Sequence, residues 1–342
     1  MKSQANFSLK SCNSFSFESV TSCIYFPESL DDLRQLSSLT NEPFYILGEG
    51  SNTLFLAEKA PVIIQPKFMG TSVDECDDAY LVSAGSAENW HQLVTYCVQK
   101  GYAGLENLAL IPGSVGAAPI QNIGAYGVEL SDVIEHVNWY EFATQTLHQL
   151  SHEQCQFGYR DSVFKREKRD KGIITQVCLK LPKAWQANIS YQGLDSLSAE
   201  ATPEQVYQRV IEVRQAKLPD PKVKPNAGSF FKNPVVSQQT YQQLVKHYPT
   251  MPAYQQSTTQ VKLAAGWLIE QAGLKGIKQN GVGVHDKQAL VLVNHGEGTG
   301  AAIYELARNI NQQVFSKFGV SLQPEVRIVS ASGLIIKDGF NG

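Results

Sequence analysis

The stretch from Leu105 to Gly127, LENLALIPGSVGAAPIQNIGAYG, combines glycines and small residues in a pattern that suits ligand binding. It carries no charge after Glu106, and its glycines stand among Ser114, Ala117, Ala118 and Ala125. Small side chains let a backbone approach a bulky, flat ligand, and free N–H groups in such a loop can bind phosphate oxygens. A single GxxG would more often be a buried connection, but this signal is longer.

A second glycine-rich turn, Gly48-Glu49-Gly50-Ser51-Asn52, follows a predicted strand around Phe44 to Leu47. It resembles a dinucleotide-binding fingerprint only in part, because Thr53 replaces the third glycine and Leu54-Phe55-Leu56 predicts a strand rather than a helix. We therefore exclude a Rossmann fold and expect a tight strand-turn-strand whose N–H groups could hold a pyrophosphate.

Two further pairs of residues could act on a substrate. Tyr159 and Arg160 adjoin in FGYRDS, although by pattern alone Arg160 is more simply explained as an ion-pair partner of Asp161. Glu325 and Arg327 lie two apart in PEVRIV, which predicts a strand with both on one face. Such a pair is equally compatible with a surface feature.

Other chemistries lack their motifs in this sequence. There is no HExxH, and His148 and His152 fall in a predicted hairpin, so we expect no metal site. The sequence also lacks GxSxG and a Walker loop, which disfavours hydrolase and kinase or ATPase chemistry.

Composition indicates a globular protein with more than one domain. A chain of 342 residues has room for two or three cores, with a cleft expected between domains. It is 43% hydrophobic and 18% charged, has no apolar run long enough to cross a membrane, and starts without a signal-peptide pattern, so we expect it in the cytoplasm. A net charge of −3 disfavours nucleic acid as the main partner. Six scattered cysteines predict free thiols.

The predicted elements alternate without a doubly wound order. Helices are predicted at 29–39, 87–100, 203–217, from about 240, 261–273 and 299–318, and strands at 44–47, 54–56, 61–65, 80–84, 173–181, 289–293 and 324–329, with a hairpin over 133–150. The helix after Thr202 has a capping box with Gln205. The segment LPDPKVKPNAG has three prolines and no periodicity, which predicts a domain boundary. The fold class is therefore α+β.

The two glycine-rich loops, with FGYRDS, NAGSFFKNP and PEVR in that order, resemble the UDP-N-acetylenolpyruvoylglucosamine reductases, the MurB family of flavoenzymes in bacterial cell-wall synthesis. The similarity spans nearly the whole chain and indicates the longer form of the family, with Tyr191 in NISYQGL on its extra loop. One departure is visible, since Asn13-Ser14-Phe15-Ser16 stands where the family often has a glycine after the aromatic residue.

The resemblance implies a two-part FAD-binding unit of the vanillyl-alcohol-oxidase (PCMH) type over residues 1–218, divided near residue 68. A substrate-binding α/β domain would occupy 219–325, and the tail 326–342 would return to the first domain. FAD would be held non-covalently, with NADPH as co-substrate, in a monomer. The implied cofactor-binding residues are Gly48, Glu49, Gly50, Ser51, Asn52, Pro112, Gly113, Ser114, Val115, Gly116, Gln121, Asn122, Ile123, Gly124, Ala125, Tyr126 and Gly127.

The family's reaction passes a hydride from NADPH to FAD and then to C3 of the enolpyruvyl group of UDP-N-acetylglucosamine enolpyruvate; protonation at C2 gives UDP-N-acetylmuramate. By resemblance, Arg160 and Glu325 would stabilise the enolate and Ser229 would donate the proton. The implied substrate-binding residues are Tyr159, Tyr191, Lys217, Asn233 and Gln288, of which Lys217 and Tyr191 suit the diphosphate and the amides suit uracil.

Two other functions remain open from the sequence. One is an FAD-dependent oxidase of the same fold that passes electrons from an alcohol to oxygen. The other is a nucleotide-sugar binder without flavin. The glycines kept in both loops speak against the binder, and the set of Ser229, Glu325 and Arg160 speaks against both.

Overall fold

The computed structural model describes residues 1–36 and 42–334 and places them in α-helices and short strands. The helices are α1 (Leu30–Leu36), α2 (Trp90–Lys100), α3 (His152–Cys155), α4 (Pro203–Lys217), α5 (Gln238–His247), α6 (Ala265–Gln271) and α7 (Gly300–Phe318). The strands are β1 (Lys2–Ser8), β2 (Val20–Phe26), β3 (Phe44–Ile46), β4 (Thr53–Phe55), β5 (Lys59–Ala60), β6 (Val62–Ile64), β7 (Thr71–Glu75), β8 (Ala79–Gly85), β9 (Gly124–Ala125), β10 (Val128–Glu129), β11 (Ile134–Glu141), β12 (Thr146–Ser151), β13 (Gly172–Pro182), β14 (Asn226–Ser229), β15 (Val235–Ser237), β16 (Ala253–Gln255), β17 (Gln260–Leu263), β18 (Lys278–Gln279), β19 (Val282–Val284), β20 (Val291–Asn294), β21 (Arg327–Ser330) and β22 (Gly333–Leu334).

The chain divides into two compact units that are discontinuous in sequence. Unit 1 comprises 1–7, 21–51 and 61–216, and unit 2 comprises 8–20, 52–60 and 217–342. The sequence predicts domains that are contiguous apart from the returning tail 326–342, and these functional boundaries stay predictions. The chain passes from unit 1 to unit 2 between Ser51 and Asn52, within the first glycine-rich turn.

Among the described residues, unit 1 contains two main sheets and the short antiparallel pair β9-β10. In the larger, the order is β12-β11-β13-β8-β7 with antiparallel neighbours. In the other, β2, β6 and β3 run parallel. The main core lies on the larger sheet, where the buried face of α2, including Trp90 and Val94, meets α4 residues such as Val206. The glycine-rich stretch is built into this core through Leu105 and Val115.

In its described part, unit 2 contains three small sheets together with α6 and α7. The sheet β14-β20-β19-β18 is antiparallel, as is β15-β17-β16, while β21 pairs in parallel with β4. The buried face of α7, including Ile303, Leu306 and Ile310, packs in the core of this unit. Thr299 caps α7, whose Gly319 end has φ +67 in the left-handed region.

Most predicted elements are confirmed with boundaries moved by a few residues, and two predictions are wrong. Val261 does not start a helix, because residues Gln260–Leu263 form β17 between two partner strands and α6 starts only at Ala265. Glu325 does not lie in the closing strand, which starts at Arg327. β7 was missed, because its residues are mostly exposed and polar. Leu39, predicted in the first helix, lies outside the described residues.

No helix among the described residues is both long and apolar enough to span a membrane.

Candidate active site

Residues 48–51 of the first glycine-rich turn lie beside residues 112–116 in unit 1. Ser51 Oγ donates to the Pro112 carbonyl at 3.1 Å. A Cβ added to Gly48 would stand 2.7 Å from Ser114 Oγ, and one added to Gly113 would stand 2.9 Å from Ser51 Oγ. Gly113 also has φ +122, a conformation that strains other residues. The backbone conformation therefore favours glycine at position 113, and the two loops are in close contact at Gly48.

The start of α2 fixes both loops. Asn89 caps the helix, accepting from Gln92 N at 3.0 Å, and its amide donates to Glu49 Oε1 at 2.8 Å. A Cβ added to Gly116 would stand 2.4 Å from the Ser86 Cβ, just before the helix. Sequence reasoning missed Asn89, and the signal that could have found it is an asparagine directly before an apolar helical face.

Asn122 organises the second part of the glycine-rich stretch. Its side chain is 1% exposed, and its amide nitrogen donates to Glu129 Oε2 at 2.8 Å and to the Gly158 carbonyl at 3.2 Å. Its Oδ1 accepts from Ser131 N at 2.9 Å. Asn122 itself has φ +43, a conformation that asparagine tolerates better than most residues.

Arg160 is held by this same loop. Its guanidinium donates to the Gly124 carbonyl at 2.7 Å and to the Asn122 carbonyl at 3.3 Å. A Cβ on Gly124 would come within 3.1 Å of Arg160 Nη1, so the glycine leaves room for the guanidinium. Asp161, the simpler partner suggested by the sequence, is paired with Arg166 instead. The guanidinium also lies 5.5 Å from the centre of the Tyr159 ring.

Tyr126 and Tyr191 meet at the end of the stretch, with ring centroids 5.3 Å apart. Burial raises the pKa of Tyr126, the charge of Arg214 opposes this shift, and Tyr191 adds to it. Burial also lowers the pKa of Arg214. Arg214 was not singled out from the sequence, although it precedes Lys217 by three residues, one helical turn, on α4.

In unit 2, Ser229 ends β14, where Gly228 has φ +70 and donates its N–H to Asn226 Oδ1 at 2.7 Å. Glu325 lies next to Phe230, since its N–H donates to the Phe230 carbonyl at 2.8 Å. The Glu325 carbonyl accepts from Asn52 Nδ2 at 3.2 Å. Within this unit, Glu325 is therefore hydrogen-bonded through its backbone to Phe230, the residue after Ser229, and to the side chain of Asn52.

Gln288 and Asn233 flank the start of α6. Asn233 Oδ1 accepts from Ala265 N at 2.9 Å, and Gln288 Oε1 lies 3.3 Å from where a Cβ of Gly266 would stand. Phe230 N–H donates to the Leu290 carbonyl at 2.8 Å, which places the Gln288 turn beside Ser229. Lys217, the remaining predicted substrate residue, is exposed at the end of α4.

His285 supports the Gln288 turn and was not singled out from the sequence. Its Nδ1 accepts from the backbone N–H groups of Lys287 and Gln288, both at 3.3 Å. The ring is 7% exposed, and burial lowers its pKa. The spacing HDKQ between two apolar strands is the signal that could have indicated such a turn.

Comparison with known proteins decides the family. A model of the FAD binding domain matches residues 21–148, and a model of the UDP-N-acetylenolpyruvoylglucosamine reductase C-terminal domain matches residues 220–329. The UDP-N-acetylenolpyruvoylglucosamine reductase of Escherichia coli strain K12 is 47% identical over 332 residues, which cover 96% of this chain and 97% of that protein. The protein of the same name from Pectobacterium atrosepticum is 47% identical over 331 residues, covering 95% and 96%. This chain belongs to the UDP-N-acetylenolpyruvoylglucosamine reductase family.

A solved structure supports the fold independently. The UDP-N-acetylenolpyruvylglucosamine reductase of Thermus caldophilus is 23% identical and covers 96% of this chain and 98% of its own, with a TM-score of 0.67. The family resemblance, the α+β fold with an FAD-binding part, the assignment as an oxidoreductase, and FAD as cofactor are thereby confirmed. The chain is an FAD-binding reductase that acts in peptidoglycan precursor synthesis. The domain boundaries and the individual site residues stay predictions.

Proposed function

We propose that this chain uses NADPH to reduce UDP-N-acetylglucosamine enolpyruvate to UDP-N-acetylmuramate. The observation that carries the proposal is 47% identity over 96% of the chain to a reductase of that name. In the reaction, a hydride is added to C3 of the enolpyruvyl group and a proton to C2, so the double bond becomes a lactyl ether. The co-substrate loses the hydride and becomes NADP⁺.

The glycine-rich loops are suited to hold FAD. Gly48 and Gly113 stand where a Cβ would collide with a neighbouring hydroxyl, so backbone rather than side chains forms the surface of these loops. Residues 48–52, 112–116 and 121–127 would bind the cofactor through backbone N–H groups and small side chains. Bound FAD supplies the hydride that reaches the substrate.

Arg160 and Glu325 would stabilise the charge that develops on the substrate carboxylate. The guanidinium of Arg160 is oriented by two loop carbonyls, which limits the reorganisation that the reaction would require. Glu325 would have to assist the enolate as a hydrogen-bond donor, because a bare carboxylate beside developing negative charge would raise the barrier.

Ser229 would donate the proton to C2. A serine hydroxyl is a weak acid, so it can act only on a strongly basic carbon such as that of an enolate, and only within hydrogen-bond reach. Lys217 and Tyr191 would bind the diphosphate, Asn233 and Gln288 would contact the uracil, and Tyr159 would line the substrate site.

The test is to purify the protein and follow NADPH oxidation. We expect a yellow protein that releases FAD on denaturation. It should oxidise one equivalent of NADPH per flavin alone and turn over continuously only when the enolpyruvyl sugar is present, giving a product two hydrogens heavier by mass spectrometry. A colourless protein that takes up no FAD would favour a plain nucleotide-sugar binder. Hydrogen peroxide formation from an alcohol would favour an oxidase.

A further inference from the structure

Residues 185–190, which lead to Tyr191, have no helix or strand to fix them. Alternate side chains of this segment, Trp185, Ala187 and Ile189, pack against the core of unit 1. Tyr191 continues the alternation and reaches Tyr126, but its own side chain is 47% exposed. Apolar contacts of this kind are not directional, so the position of Tyr191 along the segment must be set by polar bonds.

Asn107 supplies two of those bonds. It lies in a short 3-10 turn, Glu106–Leu108, and is 3% exposed. Its side-chain amide nitrogen donates to the Tyr126 carbonyl and to the Asn188 carbonyl, each at 2.8 Å. Residues 121–127, which we propose to bind FAD, are called the cofactor loop below. One buried NH₂ group therefore uses both of its protons to join this loop to the segment that carries Tyr191.

The neighbouring contacts reinforce this connection. Asn188 returns a bond to the cofactor loop, since its Nδ2 donates to the Gly127 carbonyl at 3.1 Å. A Cβ on Gly127 would stand 3.3 Å from Asn188 Oδ1, so the two chains are in close contact there. Glu106, 1% exposed, accepts a hydrogen bond from the Trp185 side chain and another from Gly104 N at 2.7 Å. Two consecutive buried polar residues, Glu106 and Asn107, thus hold the segment at two points.

We propose that Asn107 is a positioning residue for substrate binding, which places Tyr191 against the cofactor loop by bonding the carbonyls of Tyr126 and Asn188 at once. This inference rests on the proposed role of Tyr191 at the substrate diphosphate. Asn107 itself touches no substrate, and its effect passes through Tyr191. A hydroxyl already held in place loses less conformational freedom when it binds a ligand, which favours affinity.

The experiment is a double-mutant cycle on the FAD-loaded enzyme. Asn107→Asp keeps the shape of the side chain but replaces the NH₂ donor with an oxygen. We expect Asn107→Asp to raise the KM for the enolpyruvyl sugar about tenfold, the size expected for two ordinary hydrogen bonds, with kcat changed less than about threefold. In a Tyr191→Phe background, the same substitution should add less than about twofold, because the hydroxyl that it positions is already gone.

Two further variants keep the test decisive. Asn188→Ala removes the hydrogen bond from the Asn188 side chain to the Gly127 carbonyl and places no charge in the core. It should also raise the KM, by a smaller factor than Asn107→Asp does. Asn138→Asp is the matched control, because Asn138 donates to Gln176 Oε1 at 2.9 Å within the larger sheet of unit 1. It should change the KM less than about twofold, both in the wild-type protein and in the Tyr191→Phe variant.

The outcomes separate the two claims. Effects of Asn107→Asp and Tyr191→Phe that simply multiply would overturn the positioning role while leaving Tyr191 as a substrate residue. An unchanged KM in both Asn107→Asp and Asn188→Ala would also overturn it. If Tyr191→Phe alone leaves the KM unchanged, the proposed contact of Tyr191 with the diphosphate is wrong and the inference is rejected with it.

Discussion

Ser229 is the residue that we propose as the proton donor to C2. The residue ends a strand, and the backbone of Gly228 before it adopts φ +70. Ser229 pairs with Val291 in the edge strand β14 and directly precedes Phe230, whose carbonyl accepts from Glu325 N–H. Ser229 and Glu325 therefore belong to one local arrangement, and they should affect the same chemical step.

Replacing Ser229 by Ala is expected to separate the two halves of the reaction. Reoxidation of the flavin by the enolpyruvyl sugar should slow by about 10² to 10⁴, the usual contribution of a positioned general acid, while NADPH should still bleach the flavin at nearly normal speed. Glu325→Ala, which removes the hydrogen-bond donor that glutamine would keep, should show the same separation. Stopped-flow absorbance of the flavin measures both steps.

Ser237→Ala is a suitable control, since Ser237 caps α5 through Thr240 N at 3.1 Å and has no proposed catalytic role. It should leave both half-reactions unchanged. The assigned roles are wrong if a Ser229 or Glu325 variant is reduced slowly by NADPH but is reoxidised by the enolpyruvyl sugar at the normal rate.

The turn from His285 to Gln288 contains a histidine whose protonation state determines whether the turn keeps its hydrogen bonds. The position of Gln288, a predicted substrate residue, should therefore depend on pH. His285 Nδ1 accepts two backbone hydrogen bonds, which requires the neutral ring. Burial and the charges of Lys224 and Lys287 lower its pKa, and Asp286, 3.3 Å from Nε2, partly opposes them. The charged form is therefore disfavoured in the folded protein.

Stability should fall on the acid side because of this histidine. Above the pKa of about 6.5 that the histidine has in the unfolded chain, the ring is neutral in both states, so its protonation does not reduce the stability. As the pH falls below that value, the histidine is protonated first in the unfolded chain. The free energy of unfolding therefore decreases until the pH passes the pKa of His285 in the folded protein. His285→Asn, which can still accept a hydrogen bond in such a turn, should lose less Tm between about pH 8 and pH 5 than the wild type. Parallel Tm curves by circular dichroism would contradict this assignment.

The segment around Asn13 gives a second prediction at the level of an element. Ser16 has φ +55, a left-handed conformation. It follows the aromatic residue Phe15, and the resemblance to the family leads us to expect glycine at this position. Asn13 holds the turn, since its Oδ1 accepts from Phe17 N at 3.1 Å and its amide donates to the Leu9 carbonyl at 2.8 Å. The departure from the family pattern is therefore tolerated at some cost in backbone strain.

Ser16→Gly should stabilise the protein, by up to about 1 kcal/mol, because glycine adopts this conformation without a Cβ clash. Chemical denaturation monitored by fluorescence measures the change. Ser11→Gly is the control, since Ser11 lies in the 3-10 turn Lys10–Cys12 and the added chain freedom should destabilise the fold there. Equal destabilisation by both substitutions would argue against strain at Ser16.

For the whole molecule, the proposed reaction requires one flavin to accept a hydride from NADPH and then deliver it to the sugar. If one site serves both ligands in turn, initial-rate kinetics should be ping-pong, with parallel double-reciprocal lines at low substrate and inhibition by excess sugar. Steady-state assays with both concentrations varied provide the measurement. Lines that intersect under all conditions would show that both ligands are bound together.

The sequence determined the elements whose signals are local. Thr202 and Gln205 form the capping box expected from their spacing, with bonds of 2.8 and 3.3 Å, and Thr299 and Gly319 bound the longest described helix. The hairpin of β11 and β12 and the fold class also followed from periodicity. Caps and periodic apolar residues carry their information within a few positions, so they can be interpreted without the rest of the chain.

Tertiary structure decided the features that depend on distant partners. Residues Gln260–Leu263 became a strand because two other strands flank them, although their apolar spacing also suits a helix. Asn107 has no local signal at all, since its partner Asn188 is 81 residues away. Motif resemblance supplied the residues proposed to act on the substrate, but hydrogen bonds to loop carbonyls fix Arg160, and a buried amide joins the Tyr191 segment to the cofactor loop. The physical reason is that a buried donor must find an acceptor, and only the folded chain determines which carbonyl that is.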